Sequence, residues 1–224
     1  NPAIDREREI EQFSTRAILG RRALPNGKYG GKLTELLTPI LPLDSETAAQ
    51  FGTMTLLELE THLKVTRVKL ECRVSNNFPE PLEAALDRLR EEVLQAAKDG
   101  AGLIVLEDRL VYKNGNLPID PLLGIAEANR ALEVIAPEGV AHRRLTSLAV
   151  SSAAIRNLHD CMMLLGLGAD ALEPWLMFQA FTGDNRAAAQ RLLAALTKGV
   201  EKVMSTMGIS ELRGYGRVFA AIGL

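Results

Sequence analysis

The chain has 224 residues and a formal net charge of −2, with acidic and basic residues interspersed. That excludes the one-signed footprint of a nucleic-acid or membrane-surface binder. Apolar residues make up 47% and charged residues 24%, ordinary globular usage for a length that suits one α/β core.

Residues 1–65 are expected to form a helical extension packed on the core. "AIDREREIEQFSTRAILG" carries Ile4, Ile10, Phe13, Ala17 and Ile18 at helical spacing, with Gly20 as its stop. "ALPNGKYGGK" is turn chemistry, in which Asn26-Gly27 and Gly30-Gly31 are expected to supply positive φ. Thr55 with Glu58 three residues on predicts a capping box opening a helix through Leu63.

From residue 66 to 208 the rhythm is strand, helix, strand, helix. "RVKLECRV" reads as a strand, and "PEPLEAALDRLREEVLQAAKDG" as an amphipathic helix with proline near its start and glycine at its end. "AGLIVLED", "LTSLAVSS" and "ADALEPW" are further strands, alternating with the helical "LPIDPLLGIAEANRALEVIA" and "AAIRNLHDCMMLLG". Two more helices follow, "PWLMFQAF" and "NRAAAQRLLAALTKGVEKVMSTMG". The fold class expected is α/β, a partial (β/α) barrel-like domain with about four parallel strands centred near Leu70, Val105, Ala149 and Ala171. Short right-handed crossovers should leave the strands in chain order. Residues 209–224 form a C-terminal tail whose Ile209, Tyr215, Val218, Phe219 and Ile222 are expected to be only partly covered. The helix before it should bury Leu192, Leu196, Val200, Val203 and Met207.

No charged-then-apolar leader and no run of about 18 apolar residues occurs, so a cytoplasmic protein with no membrane partner is expected. Cys72 and Cys161 stand in unrelated contexts, which suits a reducing compartment. The opening "NPAID", without a methionine, is expected to mark a piece of something longer.

The candidate chemistry is sparse. "GLGADA" imitates a dinucleotide fingerprint, but a helix precedes it and a strand follows, the reverse of the required order. "NGKYGGKL" imitates a phosphate loop without its first glycine, its hydroxyl residue or a preceding strand. His62, His142 and His159 lack ligand spacing, so no metal is expected. Glu107, Asp108 and Arg109 end a strand, where parallel folds place functional groups, although an Asp-Arg pair there also reads as a structural ion pair. Ser151 and Ser152 sit at the corresponding end of the next strand without a base in recognisable pattern. Trp175 beside Pro174 reads as a core or interface anchor.

"GLIVLEDR", "LPIDPLL", "MMLLGLGADALEPWLMFQAF", "KGVEKVMSTMGIS" and "FAAIGL", in that order, resemble the central domain of the glutamate synthase large subunit. The most specific matches are "LGLGADALEPWL" and "KVMSTMGIS". "NPAIDREREIEQFSTRAILG" and "MTLLELETHL" are similar to the family's "NPPIDP"-type opening and its "LTNEEL" stretch, so the resemblance covers essentially the whole chain.

The resemblance implies an enzyme that makes glutamate from glutamine and 2-oxoglutarate, moving ammonia internally from an amidotransferase domain to an FMN domain that also carries an iron–sulfur cluster. It implies that this segment is the domain linking and spacing the two, with no complete active site and no cofactor of its own. Its partners are then the amidotransferase and FMN domains of the same subunit, with room for a small subunit. Asp108, Arg109, Asp170 and Pro174 match the family pattern, and Met204, Met207 and Phe219 fall on the seam ahead of the FMN domain. Asn129, Arg130 and Ala131 stand where the family has a histidine cluster. Ser151 to Ala154 replace a Glu-Thr/Ser-Gly-Glu pattern, Asp160 replaces a second histidine, and the tail reads "GYGRVFAA". Two rival readings are a stand-alone barrel-type enzyme with its site near Asp108 and Ser151, and a regulatory or assembly module.

Overall fold

The computed structural model describes residues 13–24, 27, 30–181 and 186–216. In chain order, a hairpin of β1 (Ala17–Gly20) and β2 (Leu33–Leu36) leads to two short helices, α1 (Ser45–Gln50) and α2 (Leu56–His62). Strand β3 (Val65–Lys69) follows, then the short β4 (Glu71–Cys72), β5 (Val74–Ser75) and β6 (Phe78–Pro79). Helix α3 (Leu82–Lys98), β7 (Leu103–Glu107), β8 (Leu117–Pro118) and α4 (Pro121–Ala131) come next. After these lie α5 (His142–Leu145), β9 (Ser147–Ser151), α6 (Leu158–Gly166), β10 (Ala171–Glu173), α7 (Trp175–Gln179), α8 (Arg186–Met207) and α9 (Leu212–Tyr215).

Strands β3, β7, β9 and β10 make one parallel sheet in the order β10-β9-β7-β3, which is chain order, as expected. Helices α3, α4 and α6 are the crossovers, so the domain is α/β with the succession of half a β/α barrel. The first strand is centred on Arg67 rather than Leu70. "RVKLECRV" is not one strand: it breaks at Leu70 and continues as β4 and β5, each paired antiparallel to another partner.

Both faces of the sheet are buried. On the outer face Val68, Ile104, Leu106, Leu148, Val150 and Leu172 share a core with Leu89 and Val93 of α3, Ile125 of α4 and Leu165 of α6. On the inner face Leu103, Val105, Ala149 and Ala171 pack with Leu19, Leu36, Leu41, Leu56, Leu59 and Leu63. The β1–β2 hairpin and α2 therefore stand where the opposite half of a closed barrel would lie.

Residues 17–20 correct the helical expectation for the N-terminal region: they are a strand, paired antiparallel with Leu33–Leu36. Ala17 and Leu19 are buried while Ile18 between them is 39% exposed, so alternation won over the sparser helical spacing. The part of the expected helix over residues 1–12 lies outside the described residues. The capping box is present, Glu58 N donating to Thr55 Oγ1 at 3.2 Å and Thr55 N to Glu58 Oε2 at 2.8 Å. Of the turn glycines, Gly27 has positive φ (75°), whereas Gly30 and Gly31 do not. Those two are needed for room, since added Cβ atoms would come 2.9 Å from Ala23 Cβ and 3.0 Å from Arg21 Cβ.

Of the seam expected on α8, Leu196 and Val200 are buried as expected, but towards both ends the buried stripe shifts to neighbouring positions. Ala189, Leu193, Leu196, Val200 and Met204 are its buried face, whereas Leu192 and Val203 are half-buried and Met207 is 47% exposed. Tyr215 is buried in the outer-face core, against the expectation of partial cover, while Ile209 is half-buried as expected. Val218, Phe219 and Ile222 lie outside the described residues.

If the inner face depends on the hairpin, Leu19→Ala should cost about 2–5 kcal/mol in urea unfolding. Phe78→Ala, at a 77% exposed side chain, should stay within about 0.5 kcal/mol. Equal losses from the two would mean that the hairpin is not part of the core.

Candidate functional site

The four strands end in register. Lys69, Glu107, Ser151 and Glu173 are each the last residue of their strand and lie side by side across the sheet. Strand alternation turns all four to the inner face, two positions beyond the row of Arg67, Val105, Ala149 and Ala171. This polar row closes the C-terminal end of the inner core, and Glu107, Ser151 and Glu173 within it are buried.

Each buried polar group in the row has a partner. Arg67 reaches over from its own strand, its Nη1 2.5 Å from Glu107 Oε2 and its Nε 2.6 Å from Glu60 Oε1. Burial works against the charge on Arg67, but Glu60 and Glu107 outweigh it and hold its pKa above the ordinary value. Ser151 Oγ donates to Glu173 Oε2 at 2.5 Å. Burial pushes the Glu173 carboxyl above the usual carboxylate range, with Glu107 adding to the rise. The Ser151 hydroxyl, Arg109 and Arg67 offset only part of it.

Asp108, one residue past β7 and 1% exposed, is the acceptor at the centre of the cluster. Ser152 Oγ donates to its Oδ2 at 2.5 Å, and the Ala153 N–H to Oδ1 and Oδ2 at 3.1 and 3.0 Å. Trp175 Nε1 donates to Oδ1 at 2.8 Å. The carboxylate thus ties the end of β7 to the loop after β9 and to the first residue of α7. Buried Pro174 stands between Glu173 and Trp175 at this junction. Arg109 lies 5.1 Å over the Trp175 ring, with Nη2 3.7 Å from Glu173 Oε2. Beyond it, Tyr112, Ala153, Ala154, Arg156, Trp175 and Leu176 line a shallow cavity of about 450 Å³.

The sequence candidates therefore divide. Asp108, Arg109, Ser151, Ser152, Pro174 and Trp175 come together, and Asp170 does not. Asp170 lies at the opposite end of the sheet, accepting from Leu148 N at 2.8 Å and paired with Arg143 at 3.0 Å and Arg22 at 3.5 Å. Met204 is in the core, Met207 is exposed at the end of α8, and Phe219 lies outside the described residues.

Sequence reasoning passed over Glu173 and Arg67. Glu173 had a legible signal, since "VTRVK", "LIVLE", "SLAVS" and "ALE" all close on a polar residue. The partnership of Trp175 with Asp108 had none, because it joins groups 67 positions apart.

The arrangement does little as a reaction centre. Ser151 and Ser152 are 1% and 0% exposed, and each hydroxyl is committed to a carboxylate, so a substrate meets neither. Cys161 is buried, and burial, with Asp160 adding, pushes its thiol up to about 12, far from a thiolate. His142, the first residue of α5, is buried, and burial pulls its pKa below the ordinary value. No group of three or more metal-ligating side chains occurs among the described residues, and no helix there is long and apolar enough to cross a membrane. A flavin phosphate needs free backbone N–H groups at a strand-to-helix turn. In the β9 turn the Ala153 N–H is committed to Asp108 and the Ala154 N–H to Ser152 Oγ at 3.0 Å. That turn does not fit the group.

What the fold and site define is an α/β half-barrel domain closed at its strand ends by a polar layer hydrogen-bonded largely within itself, with Arg109 Nε and Nη2 left without a hydrogen bond. The glutamate synthase central domain family matches residues 1–224, and the chain belongs to that family. The glutamate synthase [NADPH] large chain of Bacillus subtilis (strain 168) is 28% identical over 100% of this chain and 14% of its own length. The corresponding figures are 28%, 100% and 15% for the large chain of Azospirillum brasilense. They are 26%, 100% and 14% for the chloroplastic ferredoxin-dependent glutamate synthase of Spinacia oleracea. The chain thus spans about one seventh of the length of these relatives. Among solved structures, mandelate oxidase with benzoyl-formic acid aligns over 93% of this chain and 88% of its own, at 12% identity and a TM-score of 0.37.

Two measurements probe the cluster. Asp108→Ala should lower the melting temperature by several degrees, and formate should recover part of the loss by filling the vacated donors. Rescue by chloride to the same extent would mean general salt stabilisation instead. Because the folded pKa of Glu173 lies above its unfolded value, its stabilising effect is complete below the unfolded value. It is lost as pH rises through the folded one. Glu173→Gln should therefore gain stability relative to the parent as pH rises above the ordinary carboxylate range in urea unfolding. A pH-independent difference would remove burial as the controlling cause.

Proposed function

We propose that this chain is the central connecting domain of a glutamate synthase large chain. The enzyme makes glutamate from glutamine and 2-oxoglutarate by ammonia transfer and reductive amination, and this segment carries no catalytic group of its own. Its neighbours in the same polypeptide are a glutamine amidotransferase domain and an FMN domain with an iron–sulfur cluster, in a cytoplasmic enzyme with room for a small subunit. The flavin belongs to that neighbour, where it supplies the reduction of the imine. The residues here hold the neighbours in place.

One observation carries the non-catalytic part of this reading. The strand ends, where a β/α fold ordinarily places its chemistry, are filled by the domain's own Asp108, which takes up a hydroxyl, a backbone N–H and an indole N–H. Family membership and full-length coverage by three glutamate synthases support the rest.

The test uses the full-length large chain with its cofactors. Asp108→Asn and Ser151→Ala should change thermal stability but leave glutamine-dependent glutamate formation, per folded enzyme, within about threefold. A catalytic acid, base or nucleophile typically contributes about 100-fold or more. A loss of that size with the flavin still bound would establish instead the rival site around Asp108 and Ser151.

A further inference from the structure

The chain enters and leaves the described fold at one place. Ser14 N donates to Ser210 O at 2.8 Å and Leu212 N to Ser14 O at 3.0 Å, a parallel bridge between the first described residues and the segment after α8. Gly216 then lies close to the Leu165 carbonyl at the end of α6. This junction is at the N-terminal end of the sheet, opposite the polar row. It forms one wall of a groove of about 1560 Å³, whose other walls are the start of β1, the end of α4, α5 and the turn after α6.

The groove has the makeup of an interface rather than of a small-molecule site. Ile18 within it is 39% exposed and Ile209 half-exposed, and Met207 beside it is 47% exposed. Around these apolar groups stand Arg130, Arg144 and Arg213, with Glu133 and Glu211 among them, all exposed and none in an ion pair among the described residues. The other arginines of the groove are neutralised within the domain: Arg16 by Glu35, and Arg22 and Arg143 by Asp170. Exposed methionine and isoleucine ringed by unpaired charges, with arginine in excess of glutamate, is the composition of a contact surface that favours a more acidic counterpart.

We infer that this groove is the seat of the domain that follows in the same polypeptide, which presents a carboxylate-bearing face to Arg130, Arg144 and Arg213. The inference rests on the connecting-domain reading. Residues 208–216 are both the groove's wall and the chain's way out, so a following domain is tethered beside the surface. Tethering raises its effective concentration there, and modest contacts suffice. On this geometry the domain is no rod between two others. It is an out-and-back unit, its described entry and exit both at the N-terminal end of its sheet and the polar row turned away.

The experiment uses the full-length chain carrying p-benzoylphenylalanine in place of Arg144, with a second form labelled at Phe78, beside the C-terminal end of the sheet. After irradiation, cross-linked peptides are identified by mass spectrometry. The Arg144 position should join to the following domain and the Phe78 position should not. Adding Arg130→Glu and Arg213→Glu should cut the Arg144 yield several-fold. An adduct to the preceding domain, to another subunit or to residues 217–224, or no adduct at all, overturns the inference. So does a yield unchanged by charge reversal. A full-length chain without a following domain would instead overturn the connecting-domain reading itself.

Discussion

A parallel sheet of four strands exposes two apolar faces, and neither can be left to water. In a closed barrel the inner face is covered by the strands opposite. Here it is covered by Leu19, Leu36, Leu56 and Leu59, from a hairpin and a short helix that precede the sheet in sequence. That substitution shapes everything else. It fixes where the chain enters, makes the half-barrel complete without its other half, and leaves the polar groups of the inner face to its ends and to Arg67 on the edge strand β3.

At one of those ends the in-register row of Lys69, Glu107, Ser151 and Glu173 ends the inner core. Burying carboxylates there is costly unless every oxygen finds a donor. Arg67, Arg109, Ser151, Ser152, Ala153 and Trp175 share that task for Glu107, Glu173 and Asp108. The serine hydroxyls, the Ala153 N–H and the Trp175 indole are committed internally, whereas Arg109 Nε and Nη2 are buried without a hydrogen bond. At the location a β/α fold keeps for chemistry, Asp108 thus also fastens strand ends together.

Much of this was legible in the residues. Continuous apolar runs such as "LIVLE" and "SLAVS" can only be buried on both sides, and the helices between them leave a parallel order as the simple solution. The α8 seam was legible in kind but not in phase, because Leu192 and Leu193, like Val203 and Met204, are adjacent apolar residues and either stripe satisfies the spacing. The core chose Leu193 and Met204. The helix expected across Ala17 to Gly20 failed because local spacing there was ambiguous and pairing with Leu33–Leu36, more than a dozen residues on, was not visible.

The sequence by itself determined the class of fold, the strand order, the capping of α2 and the family, since these depend on periodicity, short-range hydrogen bonds and the order of motifs. Only the tertiary structure decided that Asp108 is filled by Trp175 and Ser152, that residues 17–20 are a strand, and that the way in at Ser14 touches the way out at Ser210. Each of these joins groups far apart in the chain. Their energy comes from mutual burial and from satisfying polar groups in a shared interior, and neither exists until the chain has folded.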